Sequence, residues 1–385
     1  MVRLLRTSLI AVAALVLIVY AGARSVSNAA VDDNPEFAAT VAPGNGIAQD
    51  ELVRLDLAAL LRTKEHANFE PVAVRARDAL RHEPLALASM VALTEQARAA
   101  GHPDVAQALL DYAGALSRRD PLVQLELIQR ASATGDVQGL IRHMDEALRT
   151  TQALYGTIFP LLAQSLHDSR LVALLTPIAR EDPQWYRLFI GEALTTPAAL
   201  PGVRQLMLLA PNGSAARDPQ LRINLINQLV ATKRVDLARS YFDKLHPDAG
   251  GEIVDPEFKH PSYEAPFGWM LSEAPDLTAD FVRGEGLTGY AASDREGIVA
   301  RQLLSLKAGS HTVHLETTPA ALGVLYVDVL CQDTGSALSV SVDRNKGAFS
   351  FVVPAGCSNQ WLELGLRDGD DSRSAEASIR RVTLS

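Results

Sequence analysis

A few aromatic side chains near the C-terminal end of this sequence are suited to binding chemistry. Trp269, Tyr290 and Trp361 are candidates for stacking against sugars, because an aromatic ring packs well on the apolar C–H face of a pyranose. The same residues also fit a hydrophobic core. Trp269 shares one expected strand face with Phe267, and Trp361 begins an alternating run. Both interpretations stay open for each of the three residues.

Metal-binding patterns are weak in this sequence. His311 and His314 are the closest pair of histidines, but residues three apart on a strand point to opposite faces, which argues against a shared metal. The acidic cluster Asp368–Asp371 offers oxygen ligands of the kind that Ca²⁺ prefers. A solvated hairpin is the more ordinary explanation of such a cluster, so we expect no metal site and keep calcium as the alternative.

No catalytic motif is present. The sequence contains no phosphate-binding loop, no G-x-S-x-G elbow and no H-E-x-x-H. Glycoside hydrolysis needs two carboxylates at a separation of roughly 5 to 9 Å, and a sequence with 45 acidic residues cannot show that separation. We therefore expect no catalytic residue and no cofactor. The net charge of −9 argues against nucleic acid as a partner, since phosphate binding needs clustered Lys and Arg.

The N-terminal segment resembles a targeting or membrane-spanning sequence. Residues Ser8 to Ala23 carry no charge, Arg3 and Arg6 precede them, and Arg24 follows. A helix of this length spans roughly 24 Å, slightly less than a bilayer core. Ala21-Gly22-Ala23 resembles a cleavage site, so a signal anchor and a signal peptide both remain open. The basic flank predicts a cytoplasmic N-terminus, with the bulk of the chain in the periplasm.

The only two cysteines are Cys331 and Cys357. Their spacing does not match a metal-binding pattern, which leaves two buried thiols or one disulfide. An oxidising compartment, which the N-terminal segment implies, favours the disulfide.

Apolar residues at three- and four-residue spacing predict helices over residues 51–246. Residues 25–50 are expected to be a flexible spacer after the segment 1–24.

Gly101 and Gly135 lie 34 residues apart and precede similar helix starts, Asp104-Val105 and Asp136-Val137. One helix is expected to present an apolar face, formed by Val105, Ala108, Leu109, Tyr112 and Leu116. The basic residues expected on the concave surface of the stack are Arg130, Arg142 and Arg149.

After a linker at 247–258, short alternating runs separated by turn residues predict an antiparallel β-sandwich over residues 259–385. The runs include Gly323–Cys331, Phe349–Val353 and Trp361–Leu366. Their number suits a jelly-roll-like sandwich of about eight strands.

The 34-residue period, visible over residues 68–154, resembles the tetratricopeptide repeat family. The whole combination resembles tetratricopeptide-like proteins of proteobacteria that are associated with exopolysaccharide or capsule production. The residues that carry this likeness are Pro266-Phe267-Gly268-Trp269, Cys331 and the stretch Val353–Leu362. An acidic residue is typical where Gly268 stands here.

This resemblance implies an inner-membrane anchor, an α-solenoid of tetratricopeptide-like helix pairs and a C-terminal sandwich. We expect a non-enzymatic scaffold that binds proteins of an envelope polysaccharide machine, with glycan as a further partner. Two alternatives remain: a structural adaptor that binds no glycan, and a glycan-acting enzyme with a site at the domain junction.

Overall fold

The computed structural model describes residues 2–63, 68–318, 320–367 and 374–385. The Asp368–Asp371 cluster, with its calcium alternative, lies outside these residues. The chain forms two compact units, Met1–Ile158 and Phe159–Ser385.

The first unit begins with helix α1, Val2–Ala30. Its segment Val12–Ala30 has a mean hydropathy of 1.5, and only 6% of it is buried. Within the described ranges it is the one helix whose length and composition would allow it to cross a membrane. A signal sequence meets the same criteria.

Residues 31–50 form ordered structure where the sequence suggested a flexible spacer. Helix α2, Pro35–Val41, starts behind Asn34, whose side chain accepts a hydrogen bond from Phe37 N, and proline suits the first helical position. The amide of Asn45 donates to Ser27 Oγ at 2.7 Å, which ties the next turn to the end of α1. These polar contacts explain why a stretch rich in Pro, Gly and Asn folds locally.

Most of the remaining helices of this unit pack as consecutive pairs. The bounds of α3 to α9 are Gly46–Thr63, Glu70–His82, Leu87–Ala99, Pro103–Leu116, Pro121–Thr134, Val137–Leu148 and Tyr155–Ser165, with a 3₁₀ turn at Gln152–Leu154. Gly101 and Gly135 follow α5 and α7 with φ angles of +78° and +71°, a conformation that glycine adopts without steric cost. The expected 34-residue spacing therefore corresponds to two helix hairpins, α5–α6 and α7–α8.

Helix α6 buries a different face from the one expected. Ala106, Leu110 and Ala113 are buried, whereas Val105 and Tyr112 are 54% and 55% exposed. Leu110 and Ala113 join a core cluster that also contains Val91 and Ala92 of α5. Val105 and Tyr112 lie on the surface.

The second unit starts with further helices that enclose an aromatic core. Phe159, Trp185 and Phe189 pack with ring centroids 5.6 to 6.2 Å apart, in tilted and edge-on arrangements that aromatic rings prefer. The bounds of α10 to α15 are Ser169–Glu181, Gln184–Ala193, Leu200–Leu209, Ser214–Arg217, Pro219–Ala231 and Val235–Leu245.

The sandwich follows these helices as two antiparallel sheets. The strands β1 to β11 are Met270–Leu271, Glu273–Ala274, Leu277–Val282, Gly286–Ala291, Gly297–Leu304, Gly309–Thr317, Leu325–Cys331, Ser341–Asp343, Ala348–Val353, Gln360–Leu366 and Ala375–Leu384, with a short helix α16, Ala321–Val324, before β7. One sheet has the order β1-β5-β10-β7 and the other β2-β3-β4-β11-β6-β9-β8. The described residues thus form eleven strands where about eight were expected, and the additional strands β1, β2 and β8 are only two or three residues long.

A disulfide closes the edge of the four-stranded sheet. Cys331 ends β7 and Cys357 lies in the loop before β10, with their Cα atoms 5.6 Å apart. Both residues are buried in the sandwich core. The side chain of Gln360 braces the same loop, since it donates to Cys357 O at 2.6 Å and accepts from Leu306 N at 2.9 Å. The start of β10 is therefore fixed beside the end of β7.

Candidate functional site

Strand β10 lies in the middle of the four-stranded sheet and turns alternate side chains outward. Leu362 and Leu364 point into the core and are fully buried, so Trp361, Glu363 and Gly365 occupy the opposite face. We call these three outward positions, together with their cross-strand neighbours on β5 and β7, the β10 face.

Trp361 is held at one end of the β10 face. Its indole Nε1 donates to Oε1 of Gln332, the residue that follows the disulfide cysteine of β7. The guanidinium carbon of Arg301 lies 4.7 Å from the centre of its ring, within the range of a cation–π contact. Trp361 is half-buried. Its ring is therefore fixed by two partners and still borders solvent.

Glu363 occupies the middle of the face, opposite Arg301 on one side and Asp328 on the other. The Arg301 Nη1 atom is 3.8 Å from Glu363 Oε1. Burial raises the pKa of Glu363 above its usual range; Arg301 opposes this shift and Asp328 adds to it. The middle of the face thus combines the guanidinium of Arg301 with the carboxyl groups of Glu363 and Asp328.

Tyr326 covers the other end of the face. It lies directly across from Gly365, and a Cβ atom added to Gly365 would come within 2.1 Å of Tyr326 Cζ and within 2.6 Å of both neighbouring ring carbons. The ring therefore lies flat on the glycine. The guanidinium carbon of Arg367 lies 5.6 Å from the centre of that ring. A glycine at this position is what allows the tyrosine to lie flat.

The β10 face is an elongated surface with an aromatic ring at each end. Trp361 and Gly365 are four residues apart on one strand, which corresponds to roughly 13 Å. A groove of about 450 Å³ adjoins Tyr326 and Asp328 at the sheet edge. Flat rings can stack on sugar C–H faces, and the carboxylates and guanidinium groups between them can hydrogen-bond to hydroxyl groups.

The structure places the three candidate stacking residues in three different environments. Trp269 lies in the core, 8% exposed, where its Nε1 donates to Asp255 O at 3.1 Å and its ring packs on Phe258. Its ring offers no accessible face. Tyr290 is 41% exposed on β4 of the seven-stranded sheet. Only Trp361 belongs to the β10 face.

The sequence interpretation missed Tyr326, Arg301, Glu363 and Asp328. Tyr326 was visible within an alternating run, and its outward position follows from the buried residues on either side of it. The flat orientation of its ring depends on Gly365, which comes from another strand. Nothing in the local sequence of either strand indicates that pairing.

A separate cleft of about 630 Å³ lies at one end of the sandwich. Three glutamates line it: Glu257, Glu285 and Glu316. Glu257 forms ion pairs with Lys259 and Arg381, and hydrogen bonds from these two cations lower its pKa. Glycoside hydrolysis needs an acid with a raised pKa, so the cleft does not provide Glu257 for that role.

The carboxylate of Glu264 is buried where the last helices of the second unit meet the sandwich. Glu264 has a side chain that is 2% exposed and pairs with Arg222 at 2.9 Å and with His246. Phe242 and Phe267 pack beside it, 5.5 Å apart. Glu264 therefore joins the last helices to the sandwich and cannot reach a substrate.

Proteins of the family that the sequence resembles typically have an acidic residue where this chain has Gly268. The presence of glycine here has a steric explanation. Its amide donates to Glu264 O at 2.9 Å, and an added Cβ would come within 2.3 Å of Tyr263 O. No larger side chain fits this turn without a shift of the backbone.

The two neighbouring histidines lie in different surroundings. The ring of His311 packs 6.0 Å from that of Phe351, and His314 Nε2 lies 3.4 Å from Ser385 Oγ. Among the described residues, no group of three or more His, Cys, Asp or Glu is arranged to hold a metal ion.

In the first unit, two of the three arginines expected on one surface line a common pocket. Arg130 and Arg142 belong to a cavity of about 320 Å³ formed by α6, α7 and α8. Arg149 lies at the end of α8 and pairs with Asp145 at 2.9 Å.

Comparison with known proteins adds little to this geometry. No protein-family model matches the chain. No curated protein matches it. Among solved structures, one similar chain comes from work described as "Functional Characterization of Pseudomonas Aeruginosa pilF", with 18% identity, a TM-score of 0.27 and an alignment that covers 53% of this chain and 95% of that one. A likeness at this level supports no conclusion about fold or function, which rest on the residues described above.

Proposed function

We propose that this protein is a non-enzymatic scaffold that holds a polysaccharide chain of the cell envelope on the β10 face of its sandwich. The observation that carries the proposal is the row formed by Trp361, Glu363 and Tyr326, with aromatic rings at both ends and a carboxylate between them. Such alternation is complementary to a sugar chain, because each ring unit has apolar C–H faces and polar edges.

The rest of the chain suits the role of a scaffold at a membrane. Helix α1 is apolar enough to hold the protein at the inner membrane, and the disulfide fits a periplasmic location. The paired helices of the first unit provide a surface for a protein partner. The proposed part in exopolysaccharide or capsule assembly or export comes from the family resemblance of the sequence.

The test is binding of the full-length chain, in detergent, to envelope polysaccharide from its own host, measured by calorimetry. The variants Trp361→Ala and Tyr326→Ala should each weaken binding by about tenfold, since loss of one stacked ring typically costs on the order of 1 to 2 kcal/mol. Tyr290→Ala is the matched control, because it removes an exposed aromatic ring from the other sheet.

The proposal would be overturned by equal affinities for all three variants and the unchanged protein. Absence of binding to any host polysaccharide would favour the adaptor function, with no glycan ligand. Circular dichroism of each variant establishes that the fold is intact.

One observation favours the enzymatic alternative, although at a different place from the domain junction. Glu363, whose pKa is raised by burial, lies across from Asp328, as acid and base pairs do in glycosidases. Release of reducing sugar ends by the unchanged protein, lost in Glu363→Gln, would establish an enzyme. We expect no release, because the pair lies on an open sheet face with Asp328 exposed.

A further inference from the structure

The cleft of about 630 Å³ at one end of the sandwich has an apolar wall that solvent can reach. Its volume falls within the range of ligand pockets, about 300 to 1,000 Å³. Phe281 and Val282, at the end of β3, line the cleft and are only partly buried. Phe258 also lines it and packs on Phe281, with ring centroids 6.1 Å apart. The cleft therefore offers an aromatic surface for the apolar face of a ligand.

Backbone contacts hold the walls of this cleft in place. Pro256 O accepts a hydrogen bond from Val382 N at 2.9 Å, which ties the segment before Phe258 to β11. In the hairpin between β3 and β4, Gly286 has a φ angle of +90°, and an added Cβ would come within 2.2 Å of Ile379 O. The hairpin consequently lies directly against β11. A site with fixed walls loses little conformational entropy when a ligand binds.

The charges that line the cleft nearly cancel, since they comprise four cations and three carboxylates. Glu257 forms ion pairs with Lys259 and Arg381. The other charged residues of the lining are two arginines and two glutamates, all exposed: Arg283, Arg380, Glu285 and Glu316. Within the described ranges, none of these four takes part in an ion pair. The cleft thus provides guanidinium donors and carboxylate acceptors side by side.

We infer that this cleft binds a neutral sugar unit, with a C–H face on Phe281 and its hydroxyl groups between the arginines and glutamates of the rim. A hydroxyl group both donates and accepts hydrogen bonds, so it can bind a guanidinium and a carboxylate at the same time. The glutamates would repel an anion and the arginines would repel a cation. The aromatic wall suits the apolar face of a pyranose. The inference deepens the proposed function and rests on it, since it adds a second sugar contact at strands of the other sheet.

The experiment uses the full-length variant Trp361→Ala, in which the β10 face has lost one of its rings, in a detergent without a sugar head group. The probes are disaccharides released from the host's envelope polysaccharide by partial acid hydrolysis and separated into a neutral and a uronic-acid fraction. Saturation-transfer nuclear magnetic resonance measures their binding. We expect the neutral fraction to bind saturably and the uronic-acid fraction to bind more weakly, because the glutamates of the rim oppose a further carboxylate.

Two substitutions at the rim of the cleft test the site directly. Arg380→Ala and Glu316→Gln should each weaken binding of the neutral fraction about fivefold, the order expected for one hydrogen bond. Arg344→Ala and Glu376→Gln are the matched controls, because both residues are exposed and lie outside the cleft.

Three results would overturn the inference: no binding of either fraction, tighter binding of the uronic-acid fraction, or equal affinities of Arg380→Ala and Arg344→Ala. The proposed function fails in a different way. Polymer binding that falls in Trp361→Ala, without any disaccharide binding, would refute the cleft alone. Disaccharide binding that depends on Arg380, together with polymer binding that is unchanged in Trp361→Ala, would refute the β10 face alone.

Discussion

On both outer faces of the sandwich, alternate side chains of each strand point outward, but the two faces differ in which side chains surround the exposed aromatic residues. On the seven-stranded sheet, Tyr290 lies between Thr278 and Glu376, and its surroundings are hydroxyl pairs such as Thr288 with Ser378 at 3.1 Å. On the four-stranded sheet, the β10 face places Trp361 and Tyr326 on either side of Glu363. An exposed aromatic residue alone therefore does not define a site.

The difference between the faces arises from neighbours that other strands supply. Gly365 provides a flat floor for Tyr326, and the disulfide loop keeps Gln332 beside Trp361. Tyr290 has no such floor, because its cross-strand partners are a threonine and a glutamate. Preorganised rings lose less conformational entropy on binding than a mobile side chain.

The largest expected effect comes from removing the disulfide. The double variant Cys331→Ser with Cys357→Ser opens a loop with a sequence separation of 26, which should lower the free energy of unfolding by about 3 kcal/mol. Polysaccharide binding should weaken as Trp361 loses its fixed place. Urea denaturation and calorimetry measure the two effects, and the unchanged protein in reductant is the control. An unaltered unfolding midpoint would contradict this account of the loop.

Gly365→Ala should reduce the difference between the two faces by displacing Tyr326. The new Cβ would meet the tyrosine ring at 2.1 Å, so the ring must move, at a cost of about 1 to 3 kcal/mol. The midpoint temperature of thermal unfolding and the affinity for polysaccharide should both decrease. Gly323→Ala is the control, because no atom lies within 4 Å of its added Cβ. Equal stability and equal affinity of Gly365→Ala and Gly323→Ala would contradict the role of Gly365 in positioning the Tyr326 ring.

A smaller effect is expected from Glu363→Gln. The pKa of Glu363 is raised in the folded protein above its ordinary value of 4.5, so its contribution to stability is complete below that value and is lost as pH rises through the folded pKa. Glutamine does not ionise. The variant should therefore be more stable than the unchanged protein at neutral pH, by at most about 1 kcal/mol because the group is partly solvated.

Glu376→Gln on the other face is the control for this pH dependence, since Glu376 is exposed beside Tyr290. At neutral pH its unfolding midpoint should differ less from that of the unchanged protein than the midpoint of Glu363→Gln does, because its side chain is exposed. A curve for Glu363→Gln that runs parallel to that of the unchanged protein would contradict the burial of the Glu363 carboxyl group.

Local patterns predicted the succession of helices and strands and the two helix hairpins that turn at Gly101 and Gly135. Period-2 alternation also placed Trp361 at the start of a strand. These features depend on neighbours in sequence, which a single sequence displays directly. The sequence predicted a flexible spacer over residues 25–50, whereas helix α2 forms there. Asn34 and Asn45 form hydrogen bonds with α2 and α1 that composition alone does not indicate.

The candidate site itself could be predicted only in part. Arg301 reaches Trp361 from β5, and Tyr326 reaches Gly365 from β7, so both contacts depend on the order of strands in the sheet. Trp269 illustrates the converse. Its chemistry suits sugar stacking, but its indole N–H satisfies Asp255 O inside the core. Residue type identified the candidates, and strand order decided their surroundings.

The most direct test of the glycan-binding face uses the intrinsic fluorescence of the full-length chain. The protein has three tryptophans; Trp185 and Trp269 are 1% and 8% exposed, which leaves Trp361 as the one that borders solvent. Addition of host polysaccharide should produce a saturable change in emission that disappears in Trp361→Phe and persists in Tyr290→Phe. No change on addition, or the same change in Trp361→Phe, would contradict the assignment of the β10 face.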